Sequence, residues 1–327
     1  MAADHYLIYK VIVIGGVVVM HILVTGGAGF IGSHLVRQLL DAQHTVVVLD
    51  DMSTGALKHL SGLDVVLWKR DVRDRDIVQQ IVFENFDVIV HLAAQTMVDV
   101  SIKEPVFDAS ENIMGTLNVL EAARQCGARV IFASTAAYGD VAETDLPVKE
   151  SQALHPQSFY GLTKVGAEKY LQLYHDIYGL DYVVCRFANV YGERQGDKGE
   201  GGVISIFAKR IAAGKDITIF GDGEQTRDFI YAGDIARGIC KAITTEHVNA
   251  VYNLSTQTEI SLLHLVKVMS DIMGEKIEPH FDVPREGDIY RSVLSNEKAG
   301  LYLDWKPECS LEEGLEKTLK YFTESVE

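Results

Sequence analysis

Tyr160 and Lys164 lie four residues apart in a stretch that continues as a helix former. On a helix, positions i and i+4 share one face, one turn apart. An ammonium one turn from a phenol favours the phenolate. It draws the tyrosine pKa down from ~10 toward a range useful for proton transfer. The same spacing also occurs on ordinary solvated helices, so its meaning depends on its surroundings. Just upstream, a predicted strand over residues 129–133 ends in Ser134 and Thr135. A hydroxyl at that point can donate to a substrate oxygen while the tyrosine takes its proton. The competing reading is a hydroxyl that caps a turn, the usual fate of Ser and Thr.

A second set of residues suggests what faces this pair. Residues 21–25 read as a buried strand and residues 33–40 as a helix, with Gly26, Gly29 and Gly32 between them. Strand, glycine turn, helix is the context of a dinucleotide site. Gly26 permits the tight turn, Gly29 lets backbone approach a pyrophosphate, and Gly32 lets helix and strand pack closely. Phe30 and Ile31 complete the cradle, where free helix amides attract an anion. The next strand, 45–49, ends at Asp50. This puts a carboxylate ~20 residues past the glycines, where it can accept from an adenosine ribose and repel a 2′-phosphate. That favours NAD over NADP. Asp71, followed by Val72, stands at a third strand end, suited to an adenine amino group or equally to a turn. Leu92, Ala93 and Ala94 follow a fourth strand, where small residues let a cofactor pass close.

These groups need a scaffold with several strand ends on one edge. The alternation of short apolar strands and helices up to about residue 188 predicts an α/β fold, a doubly wound parallel sheet of Rossmann type. Beyond it the alternation breaks, predicting a smaller mixed α/β C-terminal substrate domain. The division is 20–188 for the NAD-binding domain and 189–327 for mainly substrate binding, with segments returning to the first. Residues 1–19 form an extension to which no role is assigned. Their apolar run, with Gly15 and Gly16, is too short and interrupted for a membrane span, and no cleavage signal follows.

The chain has 327 residues and a formal net charge of −16 with no basic cluster. Nucleic acid and anionic membranes are therefore poor partners. Hydrophobic content of 47% and charged content of 23% suit a soluble enzyme. Four scattered cysteines show no metal spacing, as expected of reduced thiols in a cytoplasmic protein.

Taken together, the glycine turn, the Ser134-Thr135 strand end, Tyr160 with Lys164, the run from Arg186 to Gly192 and the run from Phe220 to Asp228 resemble one family. It is the extended branch of the short-chain dehydrogenase/reductases, and within it the nucleotide-sugar 4-epimerases. The resemblance spans residues 20–322. It implies NAD-dependent interconversion of a UDP-hexose at C4, UDP-glucose with UDP-galactose, through a 4-keto sugar. It assigns Tyr160 and Lys164 as catalytic, with Thr135 favoured over Ser134 as the hydroxyl. Asn189 would contact the substrate, Arg227 and Arg285 the diphosphate, and Asp288 a ribose or sugar. Val203, Thr218 and Phe220 would lie around the uridine. Thr96 and Ser292 would border the sugar. A small residue at 292 admits an acetamido group, which keeps UDP-N-acetylglucosamine open as a substrate and, less strongly, UDP-glucuronate. A homodimer packed through helices near 105–125 and 160–178 is implied as well.

Related dehydratases place an acid and a base directly after the threonine. Here those positions are Ala136 and Ala137, which argues against elimination of water; the missing glutamate also disfavours a decarboxylase. A rival from another class is a non-catalytic NAD-binding regulator. Such proteins commonly lose the tyrosine or lysine, and this chain keeps both. A reductase that consumes NAD(P)H is a third reading.

Overall fold

The computed structural model describes residues 12–14, 17–139, 141–196, 201–284 and 289–324. Seven strands form the central sheet: β1 His21–Thr25, β2 Thr45–Leu49, β3 Val66–Trp68, β4 Val88–His91, β5 Arg129–Thr135, β6 Tyr182–Phe187 and β7 Ala250–Leu254. Their order is β7-β6-β5-β4-β1-β2-β3, with every neighbour parallel. The chain winds outward from β1 to β3, then crosses back to lay β4 on the other side of β1. At that reversal, the loops leaving β1 and β4 diverge and open a crevice at the carboxyl edge. The fold is therefore the Rossmann-type α/β sheet that the alternation predicts.

Both faces of the sheet are covered, so its strands read as continuous apolar runs rather than alternating ones. Side chains still alternate between the two faces. Ile22, Val24, Val46, Val48, Val88 and Val90 face a core shared with the helices Phe30–Asp41 and Ala232–Thr244. Leu23, Val47, Leu49, Ile89, Val130 and Val184 face the other core, covered by Asp76–Glu84, Gly115–Cys126 and Phe159–Tyr178. Full burial of each such side chain contributes roughly 1.5–3 kcal/mol. A third core gathers Ile204, Phe207, Leu265, Met269, Leu315 and Phe322, all from beyond residue 189. β7 lies in this later sequence yet pairs with β6 in the main sheet.

Some elements differ from expectation. The third strand is shorter than residues 64–68, because only Val66–Trp68 pairs with β2. The helix near 105–125 is not uniform. Pro105–Ala109 and Gly115–Cys126 are α-helical, and Ser110–Met114 between them is a π-helical turn. Such wide turns are frequent at functional sites. The helix Glu297–Leu303 has no counterpart in the sequence reading. Near the N-terminus, Ile12–Ile14 pairs antiparallel with Val17–Val19. Among the described residues no helix is long and apolar enough to cross a membrane.

Candidate active site

A cleft of about 490 Å³ runs along the carboxyl edge of the sheet, bordered by the ends of β1, β2, β4, β5 and β6. At one end lies the glycine turn. Gly26 adopts φ +70, and a Cβ there would sit 2.8 Å from the Ala93 nitrogen. A Cβ on Gly32 would lie 2.2 Å from the Gly26 oxygen, so only glycine lets helix Phe30–Asp41 start this close to β1. No side chain caps that helix. Its first-turn amides are thus available to an anion in a cleft that Gly29, Phe30 and Ile31 line.

Asp50 is buried at the end of β2. Its Oδ2 accepts from Ala28 N at 2.9 Å and its Oδ1 from Met52 N at 2.9 Å. It thus braces the glycine turn from the strand end and borders the cleft where ribose hydroxyls would lie. Asp71 borders the cleft with Val72, but its oxygens are held by Arg73, with Nη2 at 2.5 Å. Hydrogen bonds from Arg73 keep the Asp71 carboxyl below its ordinary pKa. Arg73 also reaches Glu111 at 3.0 Å, a cleft residue that sequence reasoning did not single out. The expected adenine contact at Asp71 therefore competes with an ion pair already in place.

The loop after β4 carries Leu92, Ala93, Ala94 and Thr96 into the cleft. A hydrogen-bond chain holds it. Thr25 Oγ1 accepts from Ala93 N at 3.2 Å and lies 2.7 Å from His91 Nδ1, while His91 Nε2 lies 3.0 Å from Thr116 Oγ1. Thr116 in turn donates to the Asn112 carbonyl at 2.6 Å. The chain is satisfied throughout when Nδ1 accepts and Nε2 carries the proton. Burial pushes the His91 pKa down to about 3, helped by the Lys164 charge.

The central part of the cleft holds the proton-transfer group. Ser158 caps the helix Phe159–Tyr178 by accepting from Gly161 N at 3.1 Å, and Gly179 closes it at φ 73. Tyr160 and Lys164 thus occupy its first turns and face the cleft together. Thr135 stands beside Tyr160 and acts to lower its pKa. Lys164 donates to Ala133 O at 3.0 Å and lies 4.9 Å from the centre of the Phe132 ring.

The expectation that Lys164 lowers the tyrosine pKa is corrected here. Burial pushes Tyr160 up to about 12, against a lowering from Thr135, and burial pulls Lys164 down to about 8. Desolvation is the largest cause at both groups: it disfavours the phenolate of Tyr160 and the ammonium of Lys164.

The two candidate hydroxyls separate clearly. Thr135 lies at Tyr160, whereas Ser134 is buried and donates to Glu168 Oε1 at 2.5 Å. Glu168 in turn holds Arg186, with Oε2 2.6 Å from Nη2 and Oε1 3.0 Å from Nε. Sequence reasoning passed over Glu168. The signal was present, since residue 168 is one more i+4 step along the Lys164 face.

Asn189 and Val203 line the cleft beside this group. Thr218, Phe220, Arg227 and Ser292 do not border it as the structure forms it. Thr218–Phe220 pairs with His280–Asp282. Arg227 lies opposite Ser292 in a small sheet, so the expected diphosphate and sugar residues are neighbours there. Arg285 and Asp288 lie outside the described residues.

The comparisons with known proteins agree with this geometry. A family model described as "NAD dependent epimerase/dehydratase family" matches residues 22–255. The UDP-glucose 4-epimerase of Mycolicibacterium smegmatis is 39% identical over 309 residues, covering 93% of this chain and 98% of the relative. The crystal structure of UDP-glucose 4-epimerase from Thermotoga maritima with UDP-glucose superposes with a TM-score of 0.90 at 39% identity, covering 94% of this chain and all of that one. A UDP-N-acetylglucosamine 4-epimerase from Methanobrevibacter ruminantium, in complex with UDP-N-acetylmuramic acid, has a TM-score of 0.89 at 33% identity, covering 94% and 99%. The glycine cradle, the uncapped helix and the acid at the end of β2 fit the NAD that the family description names, and the chain belongs to the NAD-dependent epimerase/dehydratase family.

Proposed function

We propose that this protein interconverts UDP-glucose and UDP-galactose by inverting C4 of the sugar. The observation that carries this reading is the meeting of Thr135, Tyr160 and Lys164 in the cleft that begins at the glycine turn. NAD, when bound, supplies a hydride acceptor that can return what it took, together with a positive charge. Tyr160 takes the O4 proton as C4 is oxidised and gives it back when the 4-keto sugar is reduced on its other face. Thr135 holds O4 and orients the phenol. Lys164 keeps a positive charge beside the pair and would hold the nicotinamide ribose. Asn189 contacts the sugar, while Arg227 and Arg285 hold the diphosphate so that the sugar can turn. After Thr135 come Ala136 and Ala137, with no group to eliminate water. This supports an epimerase over a dehydratase.

A second substrate, UDP-N-acetylglucosamine, rests on the small residue type at Ser292, which would leave room for the acetamido group if the sugar reaches beyond the cleft to the small sheet that holds it. Incubation with UDP-galactose, UDP-N-acetylgalactosamine and UDP-galacturonate separately, with products resolved, tests both. Conversion of the first without net cofactor change is expected. Turnover of none overturns the reading, and net loss of NADH absorbance with a keto-sugar would favour a reductase.

We read residues 20–188 as the NAD-binding unit and 189–327 as mainly substrate-binding. Two copies pair through the adjacent helices near 105–125 and 160–178. Exposed Val106, Leu162, Leu173 and Ile177 support this, as a second copy would cover them. Sedimentation at working concentration is expected to give a dimer; a monomer refutes it. Cys126, Cys185, Cys240 and Cys309 are all unpaired, which fits the reducing cytoplasm in which we place the protein.

A further inference from the structure

A second carboxylate lies beneath the proton-transfer group. Asp108, on the helical turn Pro105–Ala109, is 0% exposed. Three neutral groups donate to it. Thr163 Oγ1 reaches Oδ2 at 2.9 Å, while Gln95 Nε2 and Asn112 Nδ2 reach Oδ1 at 2.7 and 3.1 Å. Among the described residues no cation lies within ion-pair distance of it. A buried carboxylate without such a partner costs several kcal/mol. A neutral side chain would serve a purely structural contact at less cost, so the charge itself calls for a role.

The partners of Asp108 indicate where that charge acts. Thr163 stands between Tyr160 and Lys164 in the chain, and its hydroxyl also lies 3.0 Å from the Tyr160 carbonyl. Asn112, on the π-helical turn, accepts from Gln95 N at 2.9 Å and donates to Gln95 O at 3.0 Å. It thereby clamps the loop that carries Ala94 and Thr96 into the cleft. One carboxylate thus ties the catalytic helix, the π turn and the cofactor loop together. Several titratable groups face this region. The Phe159–Tyr178 helix presents Tyr160, Lys164 and Glu168, and β4 presents His91. Glu168 is already paired with Arg186, and His91 is neutral at physiological pH. Asp108 acts on both Tyr160 and Lys164, raising the pKa of the first with its burial shift and of the second against it.

We propose that Asp108 is a positioning residue for this reaction: bonded to Thr163, it fixes the turn bearing Tyr160 and Lys164 against the cofactor loop and supplies the counter-charge of Lys164. The inference rests on the proton-transfer role of Tyr160 given above. It is tested in the full-length holoenzyme with carbon-13-labelled tyrosine, the Tyr160 signal being identified by its loss in Tyr160→Phe. In Asp108→Asn the Tyr160 titration midpoint falls by on the order of one pH unit. The alkaline limb of kcat/KM, set by Lys164, moves the same way, and kcat drops roughly tenfold with KM unmoved. An unchanged midpoint overturns the proposal.

If Asp108→Asn does not fold, Thr163→Val and Thr163→Ser decide instead. The valine variant loses kcat and the serine variant recovers it; equal kcat in the two overturns the proposal. Absence of turnover in the wild type would sink the epimerase reading alone, because the tyrosine titration still reports on Asp108.

Discussion

Replacing Tyr160 with phenylalanine is expected to lower kcat about 10³-fold and to leave UDP binding within about two-fold. Phenylalanine keeps the ring, its packing and the helix that Ser158 caps. It removes only the oxygen that meets Thr135. Without that oxygen nothing at the strand end can take a proton from O4. The neighbouring Ser134 cannot substitute, since its hydroxyl is committed to Glu168. Steady-state kinetics with UDP-galactose and calorimetry with UDP check the two halves of the expectation. If variant and wild type behave alike with every sugar, the non-catalytic regulator becomes the better reading. The pH profile adds a sign. In this structure Tyr160 is held protonated up to about 12, while Lys164 loses its charge as the pH passes about 8. Activity near neutral pH therefore requires the phenol to be drawn down once the site is filled, and a positive nicotinamide ring supplies a charge of the correct sign.

Glu168→Gln is expected to give the largest loss of stability among the site variants, about 3–5 kcal/mol. The Glu168–Arg186 pair is nearly solvent-free, with side-chain exposures of 7% and 6%. Its geometry is two-pronged, and Arg186 also donates to the Tyr138 hydroxyl at 2.9 Å. The amide keeps the shape but leaves a buried guanidinium without its counter-charge. That desolvation, rather than the lost contact, dominates the cost. Denaturant melts of Glu168→Gln, Arg186→Gln and the double variant form a cycle. The double variant should be less destabilised than the sum of the two singles. Simple additivity would show that the charges do not act as a pair. Because Glu168 also anchors Ser134 beside Thr135, the single variant should lose activity at temperatures where it remains folded.

Much of this site is readable without coordinates wherever function depends on local geometry. Gly26 and Gly32 are legible because tight turns and close helix–strand packing exclude a Cβ within a few residues of the chain. Tyr160 and Lys164 are legible because the helical period puts i and i+4 on one face. Asp50 is legible because a strand end at a set distance from the turn reaches the same edge of the sheet. Long-range choices are not legible in this way. Whether Ser134 or Thr135 faces the tyrosine depends on which face of β5 meets Glu168, and Glu168 is held from β6 through Arg186. Arg227 and Ser292 are 65 positions apart in the chain, yet they are register partners. No local pattern announces that contact.

The sequence by itself therefore determined the Rossmann-type sheet, the dinucleotide turn and the chemistry available at Tyr160, because periodicity, glycine sterics and helix capping act over short spans. Tertiary structure alone decided the protonation balance and the division of labour among buried polar groups. Burial reversed the expected shift at Tyr160 and lowered Lys164. Packing gave Ser134 to Glu168 and left Thr135 for the tyrosine. It also brought Asp108 beneath a helix that begins some fifty residues later in the chain. Desolvation and charge pairing depend on everything within a few ångströms in space, and that neighbourhood exists only once the sheet has closed around the cleft.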